Sequence, residues 1–207
     1  DICSKTLVLH PCTSAEPTHE DEFIKNLNVR ENIVFTVARF SREKKLEEVL
    51  HIAQKVGQGR FIIAGTLRDI EYYKHLEDLI RGEGIDNVEL YPNIPFKELR
   101  NLRRRAKVYL HPMPYEHFGI SIVEAMAFGC VPVVHRSGGP WLDILETREE
   151  YGFAYKFIDE AAAKIKQLLV DPELYFKKAL ATLKRSKKFT YRYFKRHIYE
   201  ILMTFRP

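Results

Sequence analysis

An α/β fold, built on a parallel sheet wound with helices on both faces, is what this 207-residue sequence predicts, and three observations carry the prediction. Short apolar runs alternate along the chain with longer segments whose apolar residues recur at helical spacing. The runs are apolar throughout rather than at every second residue, as in strands covered on both faces. Turn-forming glycine and proline punctuate many of the junctions. In such doubly wound sheets the crossovers are right-handed, and ligands bind beyond the carboxyl ends of the strands, where strand order reverses.

The elements follow in order. Residues 6–9 form a first short apolar run, read as a strand at the very start of the chain, and the polar stretch at 12–22 reads as a loop. Residues 33–38 (IVFTVA) predict a strand buried on both faces. Ser41 is then a plausible N-cap for a helix over 43–56, whose apolar residues at 46, 49, 50, 53 and 56 share one face. The unit repeats: a strand at 61–64, a turn at Gly65, and a helix at 72–80 ending near Gly82 and Gly84. Next come a strand at 88–91, a short basic helix at 97–105 and a strand at 107–110. A helix at 120–128, stopped by Gly129, leads to a strand at 131–134, which makes five or six strands in all. Beyond residue 159 the pattern is helical, with Pro172 placed to open a helix at its first turn. The division expected is a sheet domain over 1–188 and a C-terminal helix over 189–207, where aromatics interleave with Arg192, Lys195, Arg196 and His197.

Composition narrows the function classes. With 45% hydrophobic and 12% aromatic residues the chain can bury a sizeable core. A net charge of +5 arises from 33 basic against 28 acidic residues. Such a mixed surface does not by itself imply nucleic acid, and none is expected as a partner. Three cysteines, with Cys130 in a predicted buried strand, have no metal-ligand spacing and argue for a reducing compartment. Glu124, Gly129 and Pro132 break the longest apolar stretch, and no signal peptide is recognisable, so a soluble cytoplasmic protein is expected.

Chemistry concentrates after the strands. Between Phe118 and Val134 the only formal charge is Glu124. An unpaired carboxylate buried there costs several kcal/mol, roughly, so a polar group must meet it. One turn into its helix, it could accept two hydroxyls of a ribose, while Glu116, eight residues earlier, stands nearer the mouth. For each, a structural salt bridge is the alternative. Arg39 directly follows a strand and Lys44 comes five residues later, an arrangement that can hold a diphosphate; the alternative is that Arg39 pairs with a surface carboxylate and Lys44 is simply solvated. Gly119 leaves a backbone N–H open to a phosphate or sugar oxygen. His10, His111, His117 and His135 flank strands without metal-site spacing and read as satisfied surface or core histidines. Phosphate-loop, nucleophile-elbow and G-x-G-x-x-G motifs do not occur.

Taken together, Glu116, Phe118, Gly119, Glu124 with Ala125-Met126, Gly129, and Ser137-Gly138-Gly139-Pro140 resemble the E-x7-E region of retaining glycosyltransferases of the GT-B fold, family 4. Arg39 and Lys44 resemble that family's basic pair, and residues 61–65 its following strand and turn. The wording is nearest to mannosyltransferases that extend lipid-linked oligosaccharides. The resemblance implies a Rossmann-like donor-binding domain, one half of a GT-B fold. It also implies roles: Arg39 and Lys44 bind the donor diphosphate and stabilise the leaving group. Glu124 would hold the ribose, Glu116 with the backbone at Phe118, Gly119 and Ile120 would contact the transferred sugar or diphosphate, and Asn93 and Ile94 would read the base. The donor would be a GDP- or UDP-linked sugar, with no metal required because the two cations replace it. An acceptor-binding domain or partner subunit, absent from this sequence, would complete the enzyme. The half alone would bind donor and scarcely transfer it. Its final helix would cross back toward the missing domain or touch a membrane surface peripherally. A non-catalytic nucleotide-binding or scaffolding domain is the competing reading. One departure stands out: Lys45 occupies a place where the family often has glycine.

Overall fold

The computed structural model describes residues 8–204. The apolar runs become strands β1 (Glu31–Val37), β2 (Arg60–Gly65), β3 (Val88–Pro92), β4 (Ala106–His111), β5 (Val131–His135) and β6 (Phe153–Tyr155). They form one sheet in the order β3-β2-β1-β4-β5-β6, every neighbouring pair parallel. The sixth strand is therefore at 153–155. The run at 6–9 falls partly outside the described residues, and its described end is irregular. Three residues are too few to show a period, which is why β6 escapes a reading of the sequence.

Helices α1 (Glu20–Lys25), α2 (Glu47–Val56), α3 (Ile70–Gly82), α4 (Phe96–Arg105), α5 (Ile120–Met126), α6 (Ile158–Val170), α7 (Pro172–Ser186) and α8 (Tyr191–Thr204) complete the described chain. Alternate residues of each strand serve opposite faces. Val34, Ile63, Val108 and Val133 join α2, α3, α6 and α7 in one core, whereas Phe35, Ile62, Tyr109 and Val134 join α4 and α5 in the other. Both faces are thus dry, and each fully buried aliphatic or aromatic side chain contributes roughly 1.5–3 kcal/mol. Strand order reverses between β1 and β4. Their carboxyl ends open the crevice that a doubly wound sheet offers a ligand.

Caps are side-chain work where the sequence supplies aspartate. Asp69 accepts from the Tyr72 N–H at 2.9 Å to start α3, and Asp171 accepts from the Leu174 N–H at 2.9 Å to start α7, with Pro172 in its first turn. Ser41 behaves differently from expectation. It precedes a 3-10 turn (Arg42–Lys44), donates its hydroxyl to Glu43 Oε1 at 2.7 Å, and caps no backbone, so α2 begins only at Glu47.

Candidate functional site

The two loops at the sheet's switch point meet through side chains. After β1, the 3-10 turn ends on Lys45, which holds the left-handed conformation at φ 50°, ψ 46°. Glycine reaches this backbone conformation most readily, and lysine holds it at a strain of roughly 1–3 kcal/mol. The turn carries Lys44 across to the loop after β4, where its Nζ lies 3.3 Å from Glu116 Oε2 and 3.1 Å from Met113 Sδ. His111, the last residue of β4, brings Nε2 to 3.6 Å from the same carboxylate oxygen. Glu116 Oε1 also accepts from the N–H of His117 at 3.1 Å. Lys44 and Glu116 keep only 17% and 18% of their side chains exposed. Adjacent His111 and then Lys44 hold the Glu116 carboxyl down at about 2, against the opposing effect of desolvation.

The loop after β5 fixes that carboxylate from behind. Ser137 Oγ accepts from the Tyr115 N–H at 2.9 Å and lies 2.7 Å from His135 Nδ1, and the Gly139 N–H donates to the Glu116 carbonyl at 2.9 Å. A Cβ at Gly138 would come within 2.4 Å of the Glu116 carbonyl oxygen, and one at Gly139 within 2.0 Å of that of His117. Two glycines in a row let the backbones touch, and this contact sets where Glu116 stands.

The remaining expected residues divide into those at the mouth and those below it. Arg39 is exposed and pairs with Glu43, Nη2 to Oε1 3.4 Å, rather than with Glu116. Asn93 takes φ 53° and ties two loops together, its Oδ1 accepting from the Leu67 N–H at 3.0 Å and its N–H donating to the Gly65 carbonyl at 2.6 Å. Half-buried Ile94 packs on the α4–α5 core. Phe118 is buried, stacking on His10 at 5.8 Å and meeting Phe189 edge-on at 5.6 Å. Gly119, at φ 92°, turns the chain into α5, and Ile120 is exposed beside it. Glu124 receives its polar partner from α4: the buried Arg103 donates Nη2 to Glu124 Oε2.

Two members of this arrangement were not singled out by sequence reasoning. His111 read as an ordinary strand-end histidine, although its place at the carboxyl end of a central strand was a usable signal. Arg103 was hidden in the run Arg103-Arg104-Arg105 at the end of the short basic helix. Its spacing from Leu99 and Leu102 puts it on the inward stripe of α4, where Leu102 and Arg103 are both buried.

The profile of the family Glycosyl transferases group 1 matches residues 17–188. The chain belongs to this family. Among relatives of the glycosyl transferases group 1 chain, the GDP-Man:Man(3)GlcNAc(2)-PP-Dol alpha-1,2-mannosyltransferase of Xenopus tropicalis is 45% identical over 183 residues, covering 81% of this chain and 37% of that protein. The enzyme of the same name from Dictyostelium discoideum is 32% identical over 163 residues, 70% of this chain and 32% of its own length. The chain thus spans about a third of these relatives. Among solved structures, Anabaena HepE in complex with UDP and glucose superposes with a TM-score of 0.78 at 23% identity, over 96% of this chain and 57% of that one. The C-terminal domain of LpcC from Francisella tularensis gives a TM-score of 0.68 at 21% identity, over 86% of this chain and 97% of that domain. The fold is thus the Rossmann-like half of a GT-B glycosyltransferase. Among the described residues there is no group of three or more His, Cys, Asp or Glu that could hold a metal ion, and no helix long and apolar enough to cross a membrane.

Proposed function

We propose that this chain is the donor-binding half of a retaining glycosyltransferase that takes a hexose, mannose, from GDP-mannose and passes it to a glycan or lipid-linked acceptor. The observation that carries the reading is the Lys44–Glu116 pair across the switch point, 3.3 Å apart and mostly buried. A lysine poised there is a diphosphate ligand in waiting, its charge satisfied by Glu116 until a donor arrives. On donor binding the ammonium turns to the diphosphate oxygens, and exposed Arg39 swings from Glu43 to join it. The two cations then stabilise the negative charge that grows on the departing nucleoside diphosphate as the sugar bond breaks. Glu116, released from Lys44, faces the transferred sugar as a hydrogen-bond acceptor. The backbone at Phe118, Gly119 and Ile120 lines the same mouth, with Asn93 and Ile94 toward the base and Glu124 toward the ribose. The names of the relatives, each a GDP-Man:Man(3)GlcNAc(2)-PP-Dol alpha-1,2-mannosyltransferase, support the choice of GDP-mannose as donor and of a lipid-linked acceptor.

Acceptor recognition is assigned to a second domain or a partner subunit, with residues 1–188 as the donor domain and 189–207 as a helix reaching toward it. The mechanism proposed needs no divalent metal. Calorimetric titration with GDP, UDP and ADP, with and without magnesium, tests the reading. GDP should bind most tightly and equally well in both conditions. If none of the three binds at millimolar concentration, the donor-half assignment fails and a scaffolding role takes its place.

A further inference from the structure

Resting on the donor-half reading, we infer that Arg103 is the positioning residue of Glu124, holding one carboxylate oxygen so that the other is presented to the ribose hydroxyls of a nucleoside diphosphate. Arg103 is 4% exposed on the inward face of α4 and gives Nη2 to Glu124 Oε2. Its Nε is buried without a hydrogen-bond partner. Keeping a guanidinium in such a place is no efficient way to stabilise a fold: a buried ion pair of this kind is commonly matched or exceeded by well-packed apolar residues. The stripe it sits on, with Leu99 and Leu102, would accept one. What an apolar residue cannot do is orient a carboxylate.

The location fits that task. Glu124 is 27% exposed and, with Phe96, Arg100 and Arg103, lines a cleft of about 700 Å³ bounded on its other side by residues 14–19 and Arg192. Phe96 opens α4 just beyond the Asn93–Ile94 loop, so the helix that carries Arg103 starts at the carboxyl end of the sheet. The Arg103 contact engages Oε2 alone, leaving Oε1 to accept from a ligand. A carboxylate bonded on one oxygen to a buried, permanently charged guanidinium loses its rotational freedom, and ribose then binds without that ordering cost.

The test compares ribonucleotides with sugars that lack the hydroxyls. Calorimetry on the full chain would measure GDP and UDP against their 2′,3′-dideoxy forms for the wild type, Arg103→Met, Arg103→Lys and Glu124→Ala. The wild type should prefer the ribonucleotide by about tenfold, as expected for hydrogen bonds to a charged acceptor. In Arg103→Met the preference should shrink to about threefold or less through weaker ribonucleotide binding, with dideoxy affinity unchanged. Arg103→Lys, which keeps the charge but not the planar fork, should fall between. Joined to Glu124→Ala, the Arg103→Met change should cost nothing further, because both act through one carboxylate. An unaltered preference in Arg103→Met, or equal weakening of both forms, overturns the inference. Should Arg103→Met not fold, the same preference in Arg103→Lys as in the wild type overturns it. Binding without any ribose preference in the wild type removes the role of Glu124 and the inference while leaving the donor half intact. No nucleotide binding at all removes the donor half itself, and this proposal with it.

Discussion

Replacing Glu116 by glutamine removes one charge and keeps the side-chain shape, and the structure specifies what should follow. The carboxyl is held at about 2, against an ordinary 4.5, by His111 first and Lys44 next. Expressed in full, that drop corresponds to about 3 kcal/mol. Solvent reaches part of the pair, and screening reduces the share that appears as stability to roughly 1–2 kcal/mol. The folded value lies below the unfolded one, so this contribution is fully present above pH 4.5 and is lost as the pH falls toward 2. Urea unfolding followed by circular dichroism is the assay. Near neutral pH Glu116→Gln should be the less stable protein by roughly 1–2 kcal/mol, and the gap should close progressively below about pH 4.5. A gap that persists unchanged at about pH 3 would refute the assignment of an ionised, paired Glu116. The same substitution bears on binding. With its counterion gone, Lys44 is free for a diphosphate, so GDP should bind several-fold more tightly to the variant, whereas a GDP-sugar that also contacts Glu116 should gain less.

Other perturbations follow from the same geometry. Lys44→Met should weaken GDP binding by about ten- to a hundredfold in calorimetry, the value of a charge-assisted contact in a partly desolvated site, and Arg39→Met, at an exposed position, by less. Gly139→Ala would put a methyl group 2.0 Å from the His117 carbonyl oxygen, so the Ser137–Gly139 loop must move. The variant should lose roughly 2–4 kcal/mol in denaturant unfolding and lose GDP binding with it. Lys45→Gly relieves the left-handed backbone at φ 50° and should raise stability by about 0.5–1 kcal/mol, seen as a higher urea midpoint with unchanged slope.

Much of the fold is written locally. Residues 33–38, 61–64 and 131–134 announce strands because a strand covered on both faces must be largely apolar, and that requirement shows in a few consecutive letters. Residues 88–91 and 107–110, by contrast, each carry one charged residue, Glu89 and Lys107. Helices α3 and α4 stand close to where the sequence puts them, and α7 opens at Pro172 as expected. The Ser41 N-cap was misplaced because a serine before an apolar period looks the same whether a helix or a 3-10 turn follows. Of the candidate site, Arg39, Lys44, Glu116 and Glu124 were legible through position, each lying after a strand or inside an apolar block. Their partners were not: pairing joins Lys44 to a residue 72 positions away and Glu124 to one 21 away, on another helix. Arg103 shows the limit well, since three consecutive arginines look alike until the rotation of α4 turns one inward.

By itself, then, the sequence determined the parallel sheet, its two buried faces, and the loops where polar chemistry had to gather, because burial and backbone geometry act over short stretches of chain. Only the tertiary structure decided that Lys44 and His111 share Glu116, that Arg39 rests on Glu43, and that Arg103 meets Glu124. Such pairings depend on distances across the sheet, where a few ångströms separate a strong charge contact from none, and no local pattern encodes them.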